Sequence, residues 1–213
     1  MRCFRALAAA ACCASPFALA APVSNTELAD ICAQADGSVQ CGRLVEAVQL
    51  KRLPNLARRN GNTLTIALYP SGSAVFTDSG DAVDGRSYSL WDYLDGINAV
   101  LLYTTVGDTT TFTLVQRTTN RRIELPTEPE LAPDRQHLVT ADICEDRCSN
   151  EVAIWRVARD GIRKELAWAP GAAWTDASAR WKDASTIVFD SVGPGGQGSV
   201  EKKLDDRVWR HAP

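Results

Sequence analysis

The chain has 213 residues, a formal net charge of −3 and 45% hydrophobic residues, a composition typical of a globular protein. Its acidic balance argues against nucleic acid and anionic membrane surfaces as partners, because both attract basic patches. After residue 20 no apolar run approaches the ~20 residues that a membrane-spanning helix needs. We therefore predict no transmembrane segment.

Residues 1–20 have the three-part layout of a secretory signal peptide. Two arginines precede an Ala-rich apolar run, and a small-x-small cleavage site ends at Ala20. We predict an exported protein, periplasmic or secreted, whose mature chain begins at Ala21. Cys12 and Cys13 follow small residues and leave a lipoprotein as the alternative, but the apolar stretch before them is short.

The cysteines that remain after the leader are even in number: Cys32, Cys41, Cys144 and Cys148. In an exported chain this number predicts two disulfides, and pairing each cysteine with its nearest neighbour closes two short loops. The other pairings stay open, and so does a four-thiolate zinc site, although the spacings fit short zinc knuckles poorly. We predict disulfides, and neither a metal nor a cofactor.

Residues 21–60 are predicted to form an N-terminal helical cap. Ser24 and Glu27 have the spacing of a capping box, and the apolar residues that follow recur at helical intervals. Residues 39–50 repeat that spacing and predict a second short helix, with an irregular strand as the alternative. A basic cluster around Pro54 is interpreted as a solvated linker: Lys51, Arg52, Arg58 and Arg59.

Residues 61–213 are assigned to one β domain. Residues 137–143, 151–157 and 162–166 have the pattern of three antiparallel strands, with Asp160-Gly161 as the last turn. Residues 151–157 carry apolar side chains on both faces, so we expect both faces to be buried. Residues 98–125 show the same order of strands and turns, and a spacing of about 40 residues is typical of propeller blades.

The segment Leu131-Ala132-Pro133-Asp134-Arg135, followed by apolar strands, resembles the start of a blade in bacterial propellers of the TolB type. The chain is also similar to a group of uncharacterised exported bacterial proteins with propeller-like β repeats and a late segment rich in tryptophan. This resemblance implies architecture and location, and no catalytic residue. We predict a mainly β fold of antiparallel meanders, stacked like a small or incomplete β-propeller, whose N-terminal helices cover an open edge strand.

The candidate functional site lies in residues 78–95, which are interpreted as a loop. This segment mixes carboxylates with aromatic rings: Asp78, Asp81, Asp84, Tyr88, Trp91 and Tyr93. Aromatic anchors among acidic groups suit a basic or amphipathic partner, so we predict an exported binding protein whose partner is an unknown protein or envelope component. In the alternative interpretation Trp91 and Tyr93 begin a strand and are buried.

A carboxylate-dependent hydrolase, with or without calcium, is the second functional hypothesis. The aspartates of residues 78–95 supply hard oxygen ligands, but they recur every third residue, whereas the helix-loop-helix calcium motif uses every second. The sequence shows no recognisable motif that combines a nucleophile, a general base and a group that orients the base. The sequence therefore favours binding over catalysis.

Overall fold

The computed structural model describes residues 23–80, 85–170 and 174–212. The predicted signal peptide lies outside these residues. The described chain is mainly β, as predicted, with four antiparallel sheets and two α-helices. None of the described helices is long and apolar enough to cross a membrane.

The two predicted N-terminal helices are confirmed as α1, Asn25–Cys32, and α2, Ser38–Arg52. The Ser24 hydroxyl accepts the Glu27 backbone N–H at 3.2 Å, which satisfies one of the free donors of the first turn. A disulfide between Cys32 and Cys41 ties the end of α1 to the first turn of α2. The two helices therefore form a covalently linked hairpin.

The second disulfide joins Cys144 to Cys148 in the connection between two strands, His137–Asp142 and Glu151–Ala158. Both bonds have the nearest-neighbour pairing expected from the sequence. Disulfide-bonded cysteines are typical of oxidising compartments, so the two bonds are compatible with an exported protein.

The strands form four sheets that follow one another along the chain. Sheet 1 contains β1 (Ala57–Asn60), β2 (Thr63–Ala67) and β3 (Ser73–Thr77). Sheet 2 contains β4 (Arg86–Leu94), β5 (Ala99–Val106), β6 (Thr109–Gln116) and β7 (Arg122–Leu125), with a 3-10 turn at Asp95–Ile97.

Sheet 3 contains β8 (Glu130–Leu131), β9 (His137–Asp142), β10 (Glu151–Ala158) and β11 (Gly161–Trp168). Sheet 4 contains β12 (Asp176–Trp181), β13 (Thr186–Gly193) and β14 (Gly196–Lys203). A last short strand, β15 (Arg210–His211), returns to sheet 3 and pairs with β11. This return ties the C-terminal end of the chain to the preceding sheet.

Hydrophobic clusters fill the spaces between consecutive sheets, so the two middle sheets bury both faces. In β5, Leu102 packs with side chains of sheet 1, whereas its neighbour Leu101 packs with side chains of sheet 3. In β10, Ile154 packs towards sheet 4 and Trp155 towards sheet 2, with 0% and 7% of their surfaces exposed. The two-sided burial predicted for this strand is confirmed.

Helix α2 covers the outer edge of β4, as predicted for an otherwise open edge strand. The Glu46 carboxylate accepts the Leu90 N–H at 2.9 Å, and the Gln49 amide donates to the Trp91 carbonyl at 2.6 Å. Side chains of α2 thus take the hydrogen bonds that a neighbouring strand would make, and the backbone groups of β4 stay satisfied in the interior.

The interpretation of residues 78–95 as a loop is wrong, because Arg86–Leu94 forms the nine-residue strand β4. The pairing of β4 with β5 shifts between Leu90 and Asp92, which marks a β-bulge. Leu90 and Trp91 are consecutive and are both buried. The bulge therefore breaks the alternation by which a strand is recognised in a sequence.

The interpretation of the basic cluster as a solvated linker is also wrong where it meets β1. Arg59 lies in this strand, and its guanidinium contacts the buried Glu46 carboxylate of α2 at 2.6 Å. The charge of Arg59 is satisfied inside the protein and not by solvent. Only the tertiary fold provides that partner, so the local sequence gives no sign of it.

Candidate functional site

Asp78, the first predicted site residue, belongs to a polar network that supports β4. Its carboxylate accepts the Tyr88 N–H at 3.0 Å, contacts the Arg59 guanidinium at 3.1 Å and pairs with Arg43 of α2. Only 17% of its side chain is exposed. The charge of Asp78 is already balanced by two arginines, which gives this residue a structural role.

The three predicted aromatic rings also pack within the protein. The Tyr88 ring lies 5.2 Å from that of Phe76, and the Tyr93 hydroxyl donates to Asn98 at 3.0 Å. Trp91 is 7% exposed and stacks on Tyr103 with ring centroids 4.9 Å apart. For Trp91 the alternative interpretation, a buried strand residue, is confirmed. Asp81 and Asp84 lie outside the described residues.

The edge of the Trp91 indole leads to a group of carboxylates that the sequence interpretation did not single out. The indole N–H of Trp91 donates to the Glu128 carboxylate at 2.7 Å. Three more acidic residues lie around this pair, so that four come from β4, the 3-10 turn and the connection from β7 into β8: Asp92, Asp95, Glu128 and Glu130. We call these four residues the acidic face.

The acidic face lies where strands of sheets 2, 3 and 4 come together. The indole N–H of Trp181, in β12, donates to the Glu130 carbonyl at 2.9 Å, and β12 packs against β8 and β9. Trp91 and Trp181 therefore hold the segment that carries Glu128 and Glu130 from two sides. This segment is fixed by hydrogen bonds from neighbouring sheets although it contains little regular structure itself.

Desolvation raises the pKa of three carboxyl groups of the acidic face, although Asp92 is only half-buried and the Glu128 and Glu130 side chains are exposed. Desolvation is the main cause at Asp92, where the charge of Asp95 adds to it and hydrogen bonds from Tyr93 and Gln49 oppose it. Desolvation also raises the pKa of Glu128, against the hydrogen bond from Trp91 and together with the nearby charge of Asp92. It is the cause at Glu130 as well.

Within the described residues none of the four carboxylates of the acidic face forms an ion pair. Other carboxylates of the protein are balanced. Glu46 pairs with Arg59 at 2.6 Å, and the pKa of Asp190 is lowered, first by the Ser199 hydroxyl and then by Arg180. Glu128 and Glu130 also reach solvent. The acidic face thus presents accessible negative charge that no ion pair within the described residues balances, although the Arg135 side chain lies against Gly96, next to Asp95.

The acidic face escaped the sequence analysis for two reasons. Glu128 and Glu130 are separated from Asp92 by three strands, and only the pairing of β4 through β7 brings them together. The available local signal is the run Pro126-Thr127-Glu128-Pro129-Glu130, in which prolines and acidic residues alternate between two strands. Such a run is also common in ordinary connections, so it does not by itself indicate a site.

Within the described residues no three His, Cys, Asp or Glu side chains are arranged to hold a metal ion. The chain matches no known protein family, and no characterised protein or solved structure is significantly similar to it.

Proposed function

We propose that the protein is an exported binding protein and that a basic or amphipathic partner docks on the acidic face. The observation that carries this proposal is the cluster of carboxylates around the Trp91 indole, in which Glu128 and Glu130 are exposed and form no ion pair within the described residues. The raised pKa values of Asp92, Glu128 and Glu130 agree with it. A lysine or arginine of the partner would supply that charge through charge-assisted hydrogen bonds. The Trp91 indole, already bonded to Glu128, would orient the acceptor.

We further propose that the four sheets act as an incomplete β-propeller, a rigid scaffold for this face. Support comes from the hydrophobic clusters that join sheet 1 to sheet 2, sheet 2 to sheet 3, and sheet 3 to sheet 4. It also comes from the position of the acidic face beside the first strands of three sheets, β4, β8 and β12. Binding residues that connect such strands are held by the scaffold instead of moving with a loop.

Removing charge from the acidic face is expected to weaken the binding of a short fluorescent peptide of lysine and leucine at least about tenfold. The variant is Glu128→Gln with Glu130→Gln, which keeps the size of both side chains, and binding is followed by fluorescence anisotropy. The control is Asp108→Asn with Asp160→Asn, which removes the same charge from two exposed hairpin turns. Equal weakening in both variants would mean that only the net charge matters, and the proposal would fail.

Acidification is expected to abolish binding of the same peptide, and to do so at a higher pH than binding to ordinary surface carboxylates would require. The pKa values of Asp92, Glu128 and Glu130 are raised above the usual 3.8 for Asp and 4.5 for Glu. The charged forms that attract the peptide are therefore lost as the pH falls through these raised values. These groups bind protons more tightly in the folded than in the unfolded protein, so their contribution to stability increases over the same range.

The measurement is the dissociation constant of the peptide as a function of pH, at constant ionic strength. The expected curve is flat near neutral pH and rises steeply on the acid side, with its midpoint above the ordinary carboxyl range. An affinity that does not change until the pH falls below that range would contradict the proposed role of the three groups.

A carboxylate-dependent hydrolase is the second candidate function, and one observation favours it. Desolvation raises the pKa of Glu128 and the charge of Asp92 adds to it, so the two carboxyl groups interact as the members of an acid–base pair do. The test is release of nitrophenol from a panel of nitrophenyl glycosides and esters. Turnover that is lost in Glu128→Gln would support this function, whereas binding of the basic peptide without turnover would support the first.

A further inference from the structure

We propose a second, separate binding site in the cleft between sheets 2 and 3, and we infer that its ligand is a small carboxylate with an apolar body. The cleft has a volume of about 250 Å³. It lies between the β6–β7 hairpin and the start of β11, and the side chains and backbone that line it include Leu114, Gln116, Arg121, Ile123, Gly161 and Ile162. This inference does not depend on the acidic face.

The inner part of the cleft is apolar. Leu114 of β6 is fully buried, and Ile123 of β7 and Ile162 of β11 are partly buried against the same core cluster between sheets 2 and 3. Apolar groups that line a concave surface gain free energy when they exchange water for an apolar ligand. The inner end of the cleft is therefore suited to a hydrocarbon group.

Arg121 supplies a positive charge at the cleft. Within the described residues its guanidinium has no carboxylate partner and no hydrogen bond. The guanidinium lies against Gly161, where a Cβ atom would be 3.1 Å from Nη1 of Arg121. Gly161 also has a φ of 153°, a backbone conformation that favours glycine. The turn thus leaves space in which Arg121 can reach over the cleft.

The other polar residues of the cleft, Gln116 and Arg122, are already engaged. The Arg122 guanidinium lies over the Phe76 ring, 4.2 Å from its centroid. The Gln116 amide donates to the Ala158 carbonyl at 3.2 Å, and its own carbonyl accepts the Thr119 hydroxyl at 3.4 Å. Gln116 therefore fixes the wall of the cleft. Arg121 is left as the group that would recognise a ligand, and a planar guanidinium pairs best with a carboxylate or another oxyanion.

The size of the cleft limits the apolar part of the ligand. A buried cavity of about 150 Å³ is enough to hold benzene. A cleft of about 250 Å³ therefore admits one aromatic ring or a short branched chain together with a carboxylate. A longer acyl chain or a folded peptide would not fit within it. We therefore assign the ligand class as aromatic or branched-chain carboxylates of the size of benzoate.

The experiment is a titration of the full exported chain with benzoate, followed by the backbone amide resonances of residues around the cleft. Saturable shifts at Ile123 and Ile162 are expected. In Arg121→Gln the affinity should fall about tenfold, because a charge-assisted hydrogen bond is lost. Arg159→Gln serves as the matched control, since Arg159 lies in the β10–β11 turn beside Gly161 and does not line the cleft.

Two further ligands separate the parts of the proposal. Benzyl alcohol, which keeps the ring and lacks the charge, should bind more weakly than benzoate, and so should acetate, which keeps the charge and lacks the ring. If acetate bound as tightly as benzoate, the cleft would only attract anions in general, and the inference would be overturned. The same holds if Arg121→Gln and Arg159→Gln lost affinity equally. The absence of any saturable benzoate shift in the folded protein would overturn it as well.

Discussion

Glu46→Ala is expected to lower the free energy of unfolding by about 3 to 5 kcal/mol, the range measured when one partner of a buried ion pair is removed. Glu46 is 3% exposed. Its carboxylate contacts Arg59 at 2.6 Å and Arg43 at 3.5 Å, and it accepts the Leu90 N–H at 2.9 Å. Alanine would leave two guanidinium groups without this partner and one backbone donor unsatisfied in the interior.

Chemical denaturation of wild type and variant measures this loss. Glu201→Ala is the matched control, because Glu201 pairs with Lys182 at 2.7 Å while both side chains are 54% exposed. Surface ion pairs contribute no more than about 1 kcal/mol, so this variant should be close to wild type. If Glu46→Ala were as stable as Glu201→Ala, the polar network could not be what joins α2 to β4.

Ile154→Asp and Trp155→Asp are each expected to lower the free energy of unfolding by at least about 3 kcal/mol. The first buries a charge without a partner, and the second removes a large buried ring, a loss that the cross-strand Lys164 cannot offset. The two residues are neighbours on β10 and point towards different sheets. Ile154 belongs to the core between sheets 3 and 4, and Trp155 to the core between sheets 2 and 3. A sheet with one solvated face would tolerate one of the two substitutions.

Thermal and chemical denaturation of both variants checks this expectation. Val192→Asp provides the control, since Val192 lies in β13 of sheet 4 and is 40% exposed. An exposed substitution of this kind usually changes stability by no more than about 0.5 kcal/mol. If either Ile154→Asp or Trp155→Asp left the stability unchanged, the packing of sheet 3 between two neighbouring sheets would be contradicted.

The parts of the fold that local patterns determine could be predicted from the sequence. The Ser24 cap, the nearest-neighbour disulfides and the hairpin at Asp160-Gly161 each depend on residues within about ten positions of one another. The capping bond, both disulfides and the pairing of β10 with β11 are present in the structure. In these segments, interactions between residues close in sequence were sufficient to predict the structure.

The parts that depend on distant partners could not be predicted in the same way. β4 was missed because its bulge makes Leu90 and Trp91 consecutive buried residues. Arg59 was interpreted as solvated because its partner Glu46 comes from a helix. The predicted site placed Trp91 among surface groups, whereas its ring is buried and only its indole N–H points to Glu128.

The indole N–H resonance of Trp91 tests the binding proposal most directly, because this proton is donated to a carboxylate of the acidic face. Titration of the labelled protein with the lysine and leucine peptide is followed by the indole resonances, with Trp91→Phe to assign the signal. We expect the Trp91 signal to shift and saturate, while Trp168 and Trp209, in the cluster between sheets 3 and 4, stay in place. A Trp91 signal that does not move while the peptide binds would contradict docking at the acidic face.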